Sequence, residues 1–227
     1  MPTRRQVAVL GLGRFGSAVA RELTRLGHDV LAVDADQKVA QDLAREVSHA
    51  ALADITDRQA LQDLGLAEFD TAIVAVSGHL EVSVLATALL KRLGVKRIVA
   101  KAANELHGSI LEEVGAHRVV YPEHETGIRL AHSFAAPGVL DYLDVAPGYG
   151  LARVPVAGAW SGKSLAELNL QASYGVTAVL LCRDGRAILD PDGSEVLRAG
   201  DALIVAGRDA DLERLPGTGA LPPGGKG

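Results

Sequence analysis

Cysteine is nearly absent from this chain, and so is any long apolar run. The single cysteine, Cys182, excludes an internal disulfide framework and a cysteine-built zinc site. No apolar stretch reaches the roughly 18 residues that a membrane-spanning helix needs, because the best candidate, 71–90, is interrupted by His79 and Glu81. The N-terminus leads directly into a strand-like run without a signal peptide. We therefore expect a soluble, cytoplasmic protein that reaches a membrane only through a partner.

An excess of basic residues is missing as well. The 227 residues include 23 Lys and Arg against 28 Asp and Glu, which gives a net charge of −5. Proteins that bind nucleic acids usually present a basic face, so we expect no nucleic-acid partner. The chain is 48% hydrophobic and 22% charged, which is ordinary for a globular protein with one sizeable core or two modest ones.

Proline is absent between Pro2 and Pro122, so about 120 residues carry no obligate break. In this stretch, short β-rich runs alternate with amphipathic segments that end at glycines such as Gly27 and Gly94. The alternation predicts an α/β fold, a Rossmann-type doubly wound parallel sheet with helices on both faces. The predicted strands are 7–10, 30–33, 50–52, 71–76, 97–100 and 118–121.

The rest of the chain changes in character. We predict a nucleotide-binding domain over 1–121, an amphipathic helix and linker over 122–147, and a small α+β module over 148–215. Residues 216–227 are rich in glycine and proline and are predicted to be disordered. Because Pro155 lies within the first strand of the module, we expect that strand at an edge of its sheet. The predicted strands of the module are 151–156, 177–182, 187–189 and 202–206.

The strongest motif is Gly11-Leu12-Gly13-Arg14-Phe15-Gly16, which directly follows the first predicted strand and opens a helix. Gly11 allows the tight turn, Gly13 lets a pyrophosphate approach the backbone, and Gly16 lets helix and strand pack closely. The helix N-terminus adds N–H donors and positive dipole. Asp34 ends the second strand, where its carboxylate can accept hydrogen bonds from a ribose 2′-hydroxyl and would repel a 2′-phosphate. The motif predicts an adenine nucleotide other than NADP.

Two cations are further candidates for the nucleotide site. Arg14 lies at the start of the helix, where its charge opposes the dipole and a nearby phosphate would remove the conflict. The alternative is a solvated surface arginine. Lys101 closes the fifth predicted strand, where it would pair with Asp34, reach a ligand, or serve only as an edge lysine.

Two loops at the carboxyl edge of the sheet are weaker candidates. Asp54 follows the third strand, where a carboxylate would meet the adenine or ribose side of a nucleotide; in the alternative, Thr56 or Asp57 simply caps the next helix. The loop 76–79 follows the fourth strand at the edge where ligands bind such sheets, and a plain loop is the alternative.

Signs of catalysis are missing. No nucleophile–base pattern is present, and the seven histidines show no metal-ligand spacing. An NAD-dependent oxidoreductase would need an acid or base beside the nicotinamide, but residues 151–215 contain no histidine. We expect a protein that is not an enzyme, with the oxidoreductase and a stand-alone nucleotide sensor as alternatives.

Together these segments resemble the RCK-domain regulatory subunits of bacterial Ktr and Trk potassium uptake systems. The likeness rests on the glycine motif with Arg14 and Phe15, on the runs 32–34, 99–102 and 111–120, and on Tyr121-Pro122-Glu123. The run 161–170 is similar to the C-terminal subdomain of that family. The likeness covers about residues 5–215.

The resemblance implies a cytosolic subunit that docks on a potassium-translocating membrane protein and gates it. It implies a homodimer assembled into an octameric ring, with ATP or ADP, or NAD(H) in some relatives, held by Gly11, Gly13, Arg14, Gly16 and Asp34. It assigns Glu123 to a divalent cation, Mg²⁺ or Ca²⁺, near the phosphates; a first-turn helix acid is the alternative. In some members the C-terminal module binds cyclic di-AMP, for which 168–170 and 178–180 would supply an apolar cleft; a purely dimerising module is the alternative.

Overall fold

The computed structural model describes residues 4–135, 138–156 and 158–216. The chain divides into two compact units, Met1–Glu123 and His124–Gly227. Residues 217–227, which make up nearly all of the predicted disordered tail, lie outside the described residues.

The first unit is built on a six-stranded parallel sheet with the order β3-β2-β1-β4-β5-β6. This order places the glycine motif, which follows β1, at the centre of the sheet. The predicted Rossmann-type fold is confirmed. The strands are β1 (Gln6–Leu10), β2 (Asp29–Asp34), β3 (His49–Leu52), β4 (Thr71–Val74), β5 (Ile98–Lys101) and β6 (Arg118–Val120).

Helices cover both faces of this sheet because the central strands are apolar on both sides. In β1, Val7 and Val9 face one core, while Ala8 and Leu10 face the other. Side-chain carboxylates of Asp36 and Asp57 cap the second and third helices. The helices are α1 (Arg14–Arg25), α2 (Gln37–Leu43), α3 (Arg58–Asp63), α4 (Leu80–Leu93) and α5 (Glu105–Val114).

The second unit contains a five-stranded antiparallel sheet with the order β10-β9-β11-β8-β7. Its core includes Trp160, which is 4% exposed and lies with its ring centroid 5.7 Å from that of Tyr174. The strands are β7 (Asp141–Ala146), β8 (Tyr149–Pro155), β9 (Thr177–Arg183), β10 (Arg186–Leu189) and β11 (Ala202–Arg208). The helices are α6 (Pro122–Ala135), which begins at the end of the first unit, α7 (Leu165–Leu168), α8 (Leu170–Tyr174) and α9 (Asp209–Leu212).

Two expectations for this part of the chain were wrong. Residues 122–147 are not only a helix and linker, because they contain β7. The strand that carries Pro155 is also not at an edge, because β8 lies between β11 and β7. Proline is tolerated there since it is the last residue of β8, beyond the pair Asp141–Arg153 that ends the contact with β7.

Helix α6 keeps its side chains away from any core. None of its described side chains is buried, and Ile128, Leu130 and Phe134 are exposed. A cleft of about 380 Å³ lies between α6 and β7, with His132 stacked on the ring of Tyr142 at 4.3 Å. Among the described residues, no helix is both long enough and apolar enough to cross a membrane.

Candidate functional site

The glycine motif forms a tight loop between β1 and α1. Gly11 has φ +89°, and a Cβ there would collide with the side chain of Val76. A Cβ at Gly16 would overlap the carbonyl oxygen of Gly11, so this position holds helix and strand close together. Gly13, by contrast, has open space where its Cβ would be. The loop therefore presents bare backbone at the N-terminus of a twelve-residue helix, where an anion is favoured.

Asp34 ties this loop to the second strand. Its Oδ2 accepts a hydrogen bond from the Leu12 N–H at 2.6 Å, and its Oδ1 accepts one from the Asp36 N–H at 2.9 Å. The side chain is half-buried. Each carboxylate oxygen has two lone pairs, so both can accept a further hydrogen bond from a ribose hydroxyl.

Arg14 is exposed at the first position of α1, and no hydrogen bond or ion pair of its guanidinium is present in the described part of the chain. No acidic residue lies in the first turn of that helix. The guanidinium is therefore available to a phosphate bound at the glycine loop.

An open cleft of about 830 Å³ runs along the carboxyl edge of the sheet beside this loop. Gly11 and Asp34 line this cleft together with the apolar side chains of Ile55 and Val82. A cleft that combines polar groups with apolar side chains is suited to a nucleoside. Its lining residues are Gly11, Asp34, Ala35, Asp36, Gln37, Asp54, Ile55, Val76, His79 and Val82.

Asp54 lines the cleft and also shapes its own loop. Its Oδ1 accepts hydrogen bonds from the backbone N–H of Thr56 at 2.8 Å and from the Thr56 hydroxyl at 2.7 Å. These hydrogen bonds lower the pKa of the Asp54 carboxyl, and the one from the backbone N–H has the larger effect. Asp57, rather than Thr56, caps α3. Asp54 therefore offers an ionised carboxylate whose Oδ2 accepts no hydrogen bond from the described residues.

Lys101 does not pair with Asp34, so that part of the expectation was wrong. Its ammonium forms an ion pair with the Glu123 carboxylate and lies 5.6 Å from the centroid of the Phe15 ring. The Lys101 side chain is 10% exposed, whereas that of Glu123 is 71% exposed. The hydrogen bond from Lys101 lowers the pKa of the Glu123 carboxyl. Asp34 is engaged by backbone N–H groups instead.

A self-contained metal centre is absent from the residues that the structure describes, since no three His, Cys, Asp or Glu side chains form a group there. Glu123 alone supplies one carboxylate. It can hold a cation only together with other oxygen ligands, such as phosphates, and only in competition with Lys101.

The second unit has a smaller cleft of about 230 Å³. Leu165, Leu170 and Val176 contribute apolar surface, and Asn169, at φ +41°, joins α7 to α8. Of the segments expected to line such a cleft, Asn169, Leu170 and Ala178 do so.

Comparison with known proteins assigns the chain to a family. The TrkA-N domain model matches residues 7–122, and the TrkA-C domain model matches residues 151–215. The chain belongs to the Ktr/Trk family of RCK-domain potassium uptake proteins. The resemblance inferred from the sequence is confirmed.

Two relatives of this Ktr/Trk protein match it over nearly their full length. The Ktr system potassium uptake protein A of Bacillus subtilis (strain 168) is 35% identical over 215 residues, 95% of this chain and 97% of the relative. Protein C of the same system is 36% identical over 212 residues, 93% and 96% of the two chains. The crystal structure of the GsuK RCK domain has a TM-score of 0.66 at 22% identity. The match covers 94% of this chain and 47% of the GsuK chain. At this identity, the match supports the fold alone.

Sequence reasoning placed Gly11, Asp34 and Asp54 at the edge of the sheet, where the structure brings them to one cleft of the Ktr/Trk protein. Lys101, Phe15 and Glu123 form a separate contact beside the glycine loop. The apolar walls were missed. Ile55 directly follows Asp54, and Val82 lies in the first turn of α4, just after the loop 76–79. The apolar residues that follow these two polar segments were the signal in the sequence.

Proposed function

We propose that this chain is the nucleotide-sensing regulatory subunit of a potassium uptake system. It would lie in the cytoplasm, docked on a potassium-translocating membrane subunit of the Ktr or Trk type at the inner face of the membrane. The observation that carries the proposal is the open cleft beside the glycine loop and Asp34 in a chain of this family. The relatives are named as uptake proteins and not as enzymes. Residues 1–121 would bind the nucleotide, and residues 148–215 would form the regulatory module.

The nucleotide would be ATP or ADP, with NAD(H) bound more weakly. Gly11, Gly13 and Gly16 would shape the phosphate loop, and Arg14, unpaired among the described residues, would meet added phosphate charge. Asp34 would accept the ribose hydroxyls and Asp54 would lie at the adenosine end. Phe15 and Lys101 would border the phosphates.

The test is a calorimetric titration with ADP, ATP and NAD⁺. Asp34→Ala is expected to weaken all three by about 1–3 kcal/mol, since it removes charge-assisted acceptors. Asp34→Asn keeps an oxygen for the Leu12 N–H and is expected to lose less. Asp42→Ala removes an exposed carboxylate of α2 that does not line the cleft, and should bind as the wild type does. Unchanged ATP affinity in Asp34→Ala would refute the site. Mass spectrometry of the co-purifying nucleotide identifies the natural ligand.

A divalent cation would join the site only with a triphosphate. Glu123 is one carboxylate, already paired with Lys101, so phosphate oxygens would have to supply further ligands. We expect Mg²⁺ or Ca²⁺ to raise the melting temperature with ATP much more than with ADP, because hard cations favour carboxylate and phosphate oxygens. Glu123→Gln should abolish that difference without weakening ADP binding. Equal metal stabilisation in wild type and variant would show that Glu123 is not a metal ligand and is only an acidic residue in the first turn of α6.

Assembly would use α6. Its exposed apolar side chains have no cover within the described unit, which supports a homodimer built across this helix and then an octameric ring.

Cyclic di-AMP is a second candidate ligand, favoured by the cleft around Asn169 and Leu170. Titration of the full-length protein with this dinucleotide decides between a ligand site and a purely dimerising module. Failure of a 148–215 fragment to dimerise would count against both.

A further inference from the structure

The two ends of the ion pair between Lys101 and Glu123 differ sharply in exposure. The Lys101 side chain is 10% exposed and the Glu123 side chain is 71% exposed. In the described part of the chain, Glu123 is the one anion paired with this ammonium, which also lies 5.6 Å from the centroid of the Phe15 ring. A buried ammonium requires an anion, because its desolvation is costly. Here that anion is one that water can reach.

The position of the ammonium brings it beside the phosphate loop. Phe15 belongs to the glycine motif and follows Gly13 by two residues. Lys101 ends β5 at the carboxyl edge of the parallel sheet, the same edge at which Gly11 follows β1. Ligands of doubly wound sheets bind at this edge. A phosphate held by the glycine loop would therefore offer Lys101 a second anion.

We propose that Lys101 exchanges partners when a nucleotide binds. Its ammonium leaves the Glu123 carboxylate for a phosphate oxygen, and Glu123, in the first turn of α6, is released. The inference rests on the proposed nucleotide function. A phosphate chain carries more charge than one carboxylate, and charge-assisted bonds to it are strong. The ion pair from Lys101 to the first turn of α6 is then present in the free protein and absent in the bound protein. A ligand shifts a conformational equilibrium only when it interacts differently with the two states, and this exchange supplies such a difference.

The test is an ADP titration of the full-length protein in EDTA, which chelates divalent cations so that they do not bind Glu123. Glu123→Gln removes the competing anion, and we expect ADP to bind about fivefold to tenfold more tightly. Lys101→Met removes the ammonium and should weaken ADP binding about tenfold. In the double variant, Lys101→Met/Glu123→Gln, the gain should vanish, because no ammonium remains to be released.

A matched ion pair serves as the control. Lys96 and Asp70 are 3.0 Å apart and precede β5 and β4, so they lie at the opposite, amino-terminal edge of the sheet. Asp70→Asn should leave ADP affinity unchanged.

Three results would overturn the exchange. The first is a Glu123→Gln variant whose ADP affinity equals that of the wild type or is weaker. A lower melting temperature of this variant with unchanged ADP affinity counts as the same result. The second is a gain that persists in the double variant, and the third is an equal gain in Asp70→Asn. The exposed position of Glu123 makes its variant informative even if Lys101→Met fails to fold. A wild-type protein that binds neither ADP nor ATP would instead refute the proposed function, and the exchange with it.

Discussion

At the scale of single residues, the cleft is lined by carboxylates that accept hydrogen bonds from the protein and still have lone pairs for a ligand. Asp34 holds the Leu12 N–H while facing the cleft, and Asp54 holds Thr56 in the same way. Such anchoring fixes a carboxylate before a ligand arrives, so less conformational entropy is lost on binding. Arg14 is the contrast, because nothing in the described chain anchors it.

The buried histidine of the first unit makes its stability depend on pH. His107 is 1% exposed; its Nδ1 accepts from the Ala103 N–H at 3.2 Å, and its Nε2 lies 2.8 Å from the Ser83 hydroxyl. That hydroxyl donates to the Leu80 carbonyl, so the network assigns the proton to Nε2 and leaves the ring neutral. Burial lowers the pKa of His107 below the ordinary 6.5.

A lowered pKa in the folded state means that the unfolded chain binds the proton first as the pH falls. The stability that His107 contributes is therefore present above about pH 6.5 and is lost below it, with a slope approaching about 1.4 kcal/mol per pH unit. In urea unfolding at pH 7.5 and 5.5, His107→Gln should lose less stability between the two pH values than the wild type. Equal losses would show that the imidazole is not the group that titrates.

At the scale of elements, the predictable features were those set by local pattern. The six parallel strands and α4 follow from apolar runs and from glycines at helix ends. β7 was missed because only Tyr142 of its six residues is buried, so the run carries no alternation, and flanking prolines suggested a linker. Its partner and the Pro147-Gly148 turn, rather than its own residues, make it a strand. The ion pair of Lys101 with Glu123 was also missed, since it depends on the tertiary approach of β5 to the start of α6.

Helix α6 yields the prediction that belongs to this scale. Phe134 is 67% exposed, and burial of such a ring against a second subunit would be strongly favourable. Phe134→Glu should therefore reduce the dimer seen by light scattering at micromolar concentration. Leu106→Glu changes a side chain on α5 that is 73% exposed and should keep the wild-type mass. A wild-type monomer would contradict the role given to α6.

At the scale of the whole molecule, the proposed assembly would multiply the net negative charge of the chain. One chain has a mass of 23.6 kDa and a net charge of −5. The proposed ring would repeat that charge in every subunit, so repulsion that salt screens would oppose its assembly.

The proposed octameric ring predicts about eight times the mass of one chain in native mass spectrometry of the protein with ADP or ATP. Because salt screens the repulsion, sedimentation should show a stronger assembly at moderate salt than at low salt. A mass that stops at two chains under all conditions would leave the dimer and exclude the ring.

The placement of Trp160 gives this protein a built-in optical separation of its two units. It is the only tryptophan of the sequence, and it is buried in the second unit beside Tyr174. Indole emission excited at the red edge of the absorption band therefore reports on the C-terminal module alone, whereas the cleft proposed for the nucleotide lies in a unit without tryptophan. A change in that emission when ADP is added would be a direct optical record of communication between the two halves of the chain, obtained without any label.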